Sequence, residues 1–424
     1  MSDANDSYTL KQGGQPLVER RGFMKGLGAL GALSLLSRSM PLAALTNGAP
    51  GLVFPLIRGP FQNNGATPWY TQLGIGTPPQ MLKIALDTGS KFFWVTSTLC
   101  GPSGCAHSGG GQFDYTASSS FSWISQVDKP VSFGPWGTMT VWTGQDVIAI
   151  PGISAPERMY LSKSYSGPQF AELDWDGGIG LPSGSDYADP AVSFLVADLM
   201  NSGVIDPEYP YIAFETDYQG GTGTCRIGGV DPTRYDPNTG LQMSWAPYMQ
   251  YPGVEYIWST PLLGYTVGDV VIPLPSSAMF ALDSGSSQFK GDPGIMSETL
   301  QIIASEPNAN VIIEVGGGAG GPGKITVPPS VYNVLIEAGQ GQGTVVPQFN
   351  PLVGLDALAL VGSVLMDQFY TVFEYDVVGT KPNYSLIPVA MYLYQKVNGP
   401  TGLLTPPAGA VPRVLGPKAV RTTR

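Results

Sequence analysis

Two aspartates, Asp87 and Asp283, each end an apolar run and are each followed by a hydroxyl residue, a glycine and a serine. Residues 84–90 read Ile-Ala-Leu-Asp-Thr-Gly-Ser, and residues 280–286 read Phe-Ala-Leu-Asp-Ser-Gly-Ser. An apolar run that stops at Asp-x-Gly is typical of a buried strand that leads into a tight turn. One copy is ordinary turn chemistry, but two copies 196 residues apart indicate a duplicated unit that brings two carboxyl groups together. Such a pair shares a proton and can act as general acid and general base.

The sequence around both aspartates resembles that of the pepsin-like aspartic proteases. Residues 73–80 resemble the Gly-Thr-Pro hairpin of that family, and Phe-Trp-Val at 93–95 follows Asp87 at the family's spacing. Residues 175–181 are similar to the hydrophobic-Gly strand that closes the first lobe. The matching parts of the second lobe are residues 360–363 and 368–373. In order and spacing the resemblance covers roughly residues 68–390.

The resemblance implies an all-β fold with minor helix, in which two lobes related by a pseudo-two-fold axis enclose an active-site cleft. The composition agrees, since 56 Gly and 39 Pro in 424 residues favour a loop-rich β protein. Apolar runs are short and bounded by turn residues, and few segments have a helical period. We expect helices only at residues 190–202 and 329–338.

The resemblance also implies roles for the six residues that follow the two aspartates. The hydroxyl residue after each aspartate bonds across to the opposite lobe, and a serine there replaces the commoner threonine in the second copy. The glycine lets the backbone approach the carboxyl groups closely. The last serine of each motif hydrogen-bonds the outer carboxylate oxygen. In chain order these supporting residues are Thr88, Gly89, Ser90, Ser284, Gly285 and Ser286.

One departure from the family concerns the flap, the hairpin that covers the cleft. The family has a tyrosine there, whose hydroxyl bonds the tryptophan that matches Trp94. Here Phe133 stands at the tyrosine position, followed by Gly134 and an apparent one-residue insertion. The aromatic lid is retained and the hydroxyl is lost, with Trp136 as an alternative source of an N–H. The change affects the ordering of the flap rather than the dyad.

The resemblance implies an aspartic endopeptidase in which Asp87 and Asp283 activate a water for peptide-bond hydrolysis, without a metal or a cofactor. Its substrate would be an extended peptide or unfolded protein, bound as a strand in the cleft of a monomer. The alternative is a non-catalytic binding or inhibitor protein that keeps the fold. Such a protein is expected to have lost an aspartate or its serine, and both motifs are intact. A third hypothesis is a processing protease of narrow specificity.

Charge and histidine content exclude several other functions. Residues 59–400 contain 29 acidic and 11 basic residues, so no basic stripe exists for nucleic acid. Few bases also limit positive self-repulsion in acid, which fits an acid-active enzyme. The sequence contains one histidine, His107. A zinc site of the His-Glu-x-x-His type needs two and is excluded, and a Ser-His-Asp triad becomes a weak hypothesis. We expect His107 to be exposed in a loop.

The N-terminal segment has the regions of an export signal. Arg20-Arg21 with Phe23 and Lys25 precedes eleven apolar or small residues at 26–36, a pattern similar to a prokaryote-type twin-arginine signal. Eleven residues span only about half of a bilayer core, so we do not expect a membrane anchor. Cleavage near Ala44 would release a periplasmic or extracellular protein.

The chain divides into four predicted parts: a signal peptide at 1–44, a first lobe at 45–205, a second lobe at 206–395 and a disordered tail at 396–424. Residues 52–57 are expected to form the first strand, and residues 45–67 are too poor in bases to resemble the family's inhibitory prosegment. Three cysteines fit an exported protein. Cys100 and Cys105 have a spacing similar to the family's first-lobe disulfide, which leaves Cys225 as a buried free thiol.

Overall fold

The computed structural model of the chain describes residues 49–101, 104–150, 153–316 and 321–422. The predicted signal peptide, with Arg20 and Arg21, lies outside these residues. The described part is mostly β-sheet, as the sequence predicts. The strands up to the middle of the chain are β1 (Leu52–Arg58), β2 (Trp69–Ile75), β3 (Gln80–Asp87), β4 (Phe93–Val95), β5 (Ser122–Ser132), β6 (Thr138–Ile150), β7 (Ile153–Ser166), β8 (Gly177–Gly180), β9 (Tyr211–Asp217) and β10 (Thr222–Ile227).

The remaining strands are shorter on average, and most of them build the second lobe. They are β11 (Leu241–Ser244), β12 (Trp258–Val267), β13 (Val270–Val271), β14 (Met279–Leu282), β15 (Phe289–Gly291), β16 (Val311–Val315), β17 (Gly323–Val327), β18 (Asn333–Leu335), β19 (Val345–Pro347), β20 (Phe349–Pro351), β21 (Leu358–Val361), β22 (Phe369–Val378), β23 (Ser385–Gln395) and β24 (Leu404–Thr405).

Two large sheets contain almost all of these strands. The first has thirteen strands in the order β11-β23-β22-β9-β10-β1-β2-β3-β8-β4-β7-β6-β5. The second has the order β20-β15-β21-β14-β12-β16-β17-β24, with β13 beside β12, and β18 and β19 form a separate pair. Strand β1 is the predicted first strand, and it joins β10 to β2. The first half of the chain is therefore hydrogen-bonded to strands that come after residue 205, the predicted end of the first lobe.

The two halves repeat one arrangement around the aspartates. Strand β3 ends at Asp87 and pairs in parallel with β8, while β14 ends just before Asp283 and pairs in parallel with β21. On the far side, β4 and β15 pair antiparallel with β8 and β21. The central strands β8 and β21 are buried at every residue, which explains why neither sequence alternates between apolar and polar residues. The duplicated motif of the sequence is thus a duplicated three-strand unit.

Helices are few: α1 (Leu195–Ser202), α2 (Pro293–Ser305), α3 (Pro329–Tyr332) and α4 (Ser363–Met366). The helix expected at 190–202 is confirmed over its second half. The one expected at 329–338 is wrong beyond Tyr332, because the chain continues there as β18 and pairs with β19. Helix α2 was not expected, although Asp292 caps it and Pro293 occupies its first position. No helix among the described residues is long and apolar enough to cross a membrane.

Residues 401–422 pack against the second lobe, where the sequence predicts a disordered tail. Strand β24 pairs with β17, and Leu415 is buried against the aromatic cluster of the second lobe. Lys418 and Arg421 form ion pairs with Asp376 of β22. The sequence of this segment has only a few apolar and basic residues, at long intervals. Each of them contacts a different part of the sheet, so no local pattern predicted that the segment packs there.

The cysteine predictions are confirmed and the histidine prediction is wrong. Cys100 and Cys105 form a disulfide, and Cys225 is a buried free thiol on β10. The side chain of His107 is 1% exposed, and its Nε2 lies 2.8 Å from an Asp176 carboxylate oxygen. Its Nδ1 lies 3.0 Å from the Cys105 carbonyl oxygen. The prediction was wrong because it considered only the loop in which His107 lies. The carboxylate that contacts the buried ring belongs to Asp176, which comes from a distant part of the chain.

Candidate active site

The two turns that follow β3 and β14 bring Asp87 and Asp283 face to face. In each turn the glycine N–H donates to the aspartate two residues earlier, at 2.8 Å from Gly89 and 2.9 Å from Gly285. A side chain on Gly89 would collide with the Asp283 carboxyl, and one on Gly285 would collide with the Asp87 carboxyl. The glycines are therefore required by the close approach of the opposite carboxyl group. The structure brings together all eight residues of the two predicted motifs.

Reciprocal hydrogen bonds join the two turns at Thr88 and Ser284. The Thr88 N–H donates to Ser284 Oγ at 3.0 Å, and the Ser284 N–H donates to Thr88 Oγ1 at 2.9 Å. Each hydroxyl then donates to a carbonyl of the strand that precedes the other turn, from Thr88 to Leu282 at 3.3 Å and from Ser284 to Leu86 at 2.6 Å. Both side chains are buried, so breaking one bond would leave a backbone group unsatisfied. A serine therefore serves in place of the threonine here.

The two carboxyl groups have different surroundings. Asp283 is 8% exposed and accepts a hydrogen bond from the Ser286 hydroxyl. Ser90, at the equivalent position beside Asp87, is buried, and its hydroxyl has no hydrogen-bond partner of good geometry. Burial first, and then the charge of Asp283, raise the pKa of Asp87 far above its ordinary value, although the nearby Ser90 hydroxyl partly opposes this. The Ser286 hydroxyl bond favours the ionised form of Asp283, and Asp87 has no side-chain hydrogen bond of this quality among the described residues.

The flap is the hairpin of β5 and β6, and its tip covers the cleft. Phe133 N–H donates to Gly137 O at 2.9 Å, which closes a tight tip in which Gly134 has φ +61°. The Phe133 ring packs edge-on against Trp94, with ring centroids 5.7 Å apart. The lid contact predicted from the sequence is present, and it is purely aromatic. The alternative N–H does not reach Trp94, because Trp136 lies on the other side of the tip, over Lys290.

The cleft below the flap contains residues that the sequence analysis missed. Tyr256 lines it close to the dyad, and burial followed by the charges of both aspartates raises the pKa of its hydroxyl. Lys290 lines it as well and is only 6% exposed. Lys290 could have been noticed in the sequence, because a lysine is unusual in a short apolar strand directly after an Asp-x-Gly-Ser motif. Tyr256 gave none, since it lies in an irregular loop 27 residues before Asp283.

A larger concavity of about 780 Å³ lies elsewhere, between the second-lobe strands and the loop around residue 398. Its polar walls include Glu215, Arg234 and Lys396, but neither aspartate of the dyad. The cleft that contains the dyad has a volume of only about 120 Å³ with the flap in its present position. Among the described residues, no group of three or more His, Cys, Asp or Glu side chains is arranged to hold a metal ion. The site offers acid–base chemistry on two carboxyl groups.

Comparison with known proteins agrees with this geometry. A family model described as eukaryotic aspartyl protease matches residues 68–380. The chain is similar to pepsin A of Rhinolophus ferrumequinum, with 24% identity over 380 residues that cover 85% of this chain and 92% of that protein. It is also similar to cathepsin E of Mus musculus, with 25% identity over 85% of this chain and 90% of that protein. Gastricsin of Suncus murinus is 27% identical over 72% of this chain and 78% of its own.

Proposed function

Because this chain belongs to the pepsin-like aspartic protease family, we propose that it is an exported aspartic endopeptidase whose Asp87–Asp283 dyad activates a water for peptide-bond hydrolysis. The observation that carries the proposal is the paired arrangement of the two carboxyl groups across the Thr88–Ser284 bonds. A binding protein of the same fold needs no such pair. Homologues named as proteases support the reaction class.

The mechanism uses the asymmetry of the dyad. Asp283, held by the Ser286 hydroxyl and the Gly285 N–H, accepts a proton from a water bound between the carboxyl groups. Protonated Asp87 donates a hydrogen bond to the scissile carbonyl oxygen as the water attacks its carbon. The proton taken up by Asp283 then passes to the leaving nitrogen, and the peptide bond breaks. No bond forms between enzyme and substrate, and the pair returns to one shared proton.

Acid activity follows from the requirement for that proton. Activity is lost at high pH when both carboxyl groups are ionised, so it falls as the pH rises through the upper pKa of the pair. Since the pKa of Asp87 is raised, this decline lies at higher pH than for an isolated carboxyl group. The acidic, base-poor body is suited to remaining folded in the same range.

The test is hydrolysis of a denatured protein over a pH series, with and without pepstatin. Asp87→Ala and Asp283→Ala are each expected to lose activity by about 10³-fold or more, because acid and base act as a unit. Asp269→Ala is the control, since that aspartate is exposed in the turn between β12 and β13. Thermal unfolding should show that all variants are folded. Pepstatin binding by the unchanged protein without any hydrolysis would favour the non-catalytic alternative.

We also propose export by a twin-arginine route, with a periplasmic or extracellular destination. The support is the Arg20-Arg21 pair ahead of a short apolar run. In a bacterial host, replacement of both arginines by lysine should leave the precursor in the cytoplasm. Fractionation and immunoblotting of the two versions measure this. Normal export of the Lys-Lys version would contradict the proposed route.

A further inference from the structure

Lys290 is a buried cation in the cleft, at the position of β15 that corresponds to Trp94 of β4. It is the seventh residue after Asp283, as Trp94 is the seventh after Asp87. The register agrees, because Trp94 pairs with Gly178 of β8 while Lys290 pairs with Leu360 of β21. Both side chains therefore lie beneath the flap, one on each side. The duplicated fold places an aromatic ring in one lobe and an ammonium group in the other.

The ammonium group of Lys290 has few partners. It donates to the Gly65 carbonyl oxygen at 3.4 Å, and that oxygen already accepts from the Ser287 N–H at 3.0 Å. Its Nζ lies 5.5 Å from the centre of the Trp136 ring. No carboxylate of the described residues forms an ion pair with it. An ammonium group has three N–H donors, so two of them have no acceptor among the residues that the structure describes.

A fixed scaffold holds Lys290 in this place. The Gln288 amide donates to Asn63 at 2.9 Å and to Gln348 at 3.2 Å, and it accepts from Asn350 at 3.1 Å. These bonds hold the loop that carries Gly65 against β15. Apolar side chains, Leu352 and Leu355 among them, line the same end of the cleft. The ammonium group is thus presented from a rigid strand, which is typical of a binding group.

We infer that Lys290 forms a specificity subsite for an acidic side chain of the substrate, an aspartate or a glutamate close to the scissile bond. The inference rests on the proposed endopeptidase function and adds the substrate class. A carboxylate would accept the two free N–H donors and neutralise a charge whose burial is otherwise unfavourable. The charged groups that face Lys290 are Asp283 and Asp87, both beyond ion-pair distance, and burial lowers the pKa of the lysine against their opposing effect. The dyad has its own reaction to perform and does not satisfy the lysine.

The test uses peptides with blocked termini that differ only in a single glutamate or glutamine, placed in turn at each position around one cleavage site. At one position we expect the glutamate peptide to have a kcat/KM about tenfold higher at pH 5–6. The preference should fall toward one near pH 3, where the glutamate is protonated. Blocked termini ensure that only a side chain can supply the carboxylate.

Three variants separate the inference from other effects. Lys290→Met should lower the ratio of kcat/KM between the glutamate and glutamine peptides to about one, whatever its absolute rate. Its thermal stability should be unchanged or higher because a buried charge is removed. Lys290→Arg should keep part of the preference. Lys324→Met is the control, since Lys324 is paired with Glu314 on the surface. An equal shift of the pH profile for both peptides, with no change in their ratio, would mean that Lys290 acts on the dyad and would overturn the inference.

A binding measurement distinguishes failure of the inference from failure of the proposed function. Calorimetry with peptides that carry a reduced, uncleavable bond compares glutamate and glutamine versions without any turnover. A tenfold preference in Kd that disappears in Lys290→Met supports the subsite even if no peptide is cleaved. Equal affinities in the unchanged protein would refute it, whether or not the enzyme hydrolyses protein.

Discussion

The two lobes agree in how they hold their aspartates and differ in what surrounds them. Thr88 and Ser284 exchange equivalent hydrogen bonds, and both motif glycines face the opposite carboxyl group. In contrast, the Ser286 hydroxyl donates to Asp283, while the Ser90 hydroxyl makes no well-formed hydrogen bond among the described residues. The backbone duplication thus sets where the carboxyl groups lie, and the unequal side chains give the two groups different hydrogen-bond support.

The same contrast exists away from the cleft, where each lobe buries a glutamate. Glu374 of β22 has a fully buried side chain that contacts Tyr392, Arg413 and Lys418. Glu157 of β7 is 3% exposed, and one of its carboxyl oxygens has no hydrogen-bond partner. The C-terminal segment supplies the cations in the second lobe, and the first lobe has no equivalent segment among the described residues. Two cations therefore compensate Glu374 of the second lobe, whereas burial favours the neutral form of Glu157 in the first lobe.

The largest effect is expected from removing a cation beside Glu374. Lys418→Met should lower the free energy of unfolding by about 3 kcal/mol, because it leaves part of a buried carboxylate unpaired. Chemical denaturation at neutral pH measures this. Glu374→Gln in the Lys418→Met background should restore part of the loss. If Lys418→Met is neutral, the C-terminal segment does not stabilise the second lobe and the contrast with Glu157 fails.

The symmetric part of the comparison is tested at the bonds between the turns. Thr88→Val and Ser284→Ala should each lower the free energy of unfolding by about 2–3 kcal/mol, because each leaves buried backbone groups without partners. The double variant should lose much less than the sum, since both residues belong to one network. Strongly unequal single effects, or full additivity, would show that the two turns are not joined as equivalents.

A pH-dependent effect is expected at Glu157. Burial raises its pKa to about 7, and the charge of Asp198 adds to this. A carboxyl group whose pKa is higher in the folded state stabilises the fold less as the pH rises from about 4.5 to 7. Relative to Glu157→Gln, the unchanged protein should therefore lose about 2 kcal/mol between pH 4.5 and pH 7.5. The exposed Glu306→Gln serves as control, and parallel stability curves for Glu157→Gln would contradict the assignment.

The smallest expected effect separates the two motif serines. Ser286→Ala removes a hydrogen bond to the carboxylate and should lower kcat by about tenfold, or about 1.4 kcal/mol. Ser90→Ala removes a hydroxyl that lies near Asp87 without a well-formed bond to it, and should lower kcat by about threefold or less. Steady-state kinetics on one peptide at the pH optimum compares them. Equal losses would indicate that the two carboxyl groups are supported alike.

Local sequence was sufficient for the parts of this protein that are built from short segments. Each Asp-x-Gly-Ser motif and its preceding strand form within a few residues, so the positions of the dyad, its neighbouring residues and the flap tip could be predicted. The carboxylate bond expected of both motif serines is well formed only for Ser286 among the described residues. The Cys100–Cys105 bridge closes a loop of the same short length. The domain boundaries, and the export signal that lies outside the described residues, stay predictions.

Other features depended on contacts between distant parts of the chain. Only the flap and the Gly65 loop show that Lys290 is buried in the cleft. His107 is buried by Asp176, and Glu374 by residues of a segment that appeared disordered in sequence. The unequal surroundings of Asp87 and Asp283 also became apparent only in the tertiary structure. Burial and charge pairing arise only when remote segments pack together. The sequence by itself therefore determined where the catalytic-type residues lie, and the tertiary structure decided which ionisable groups are buried and which charged partners they contact.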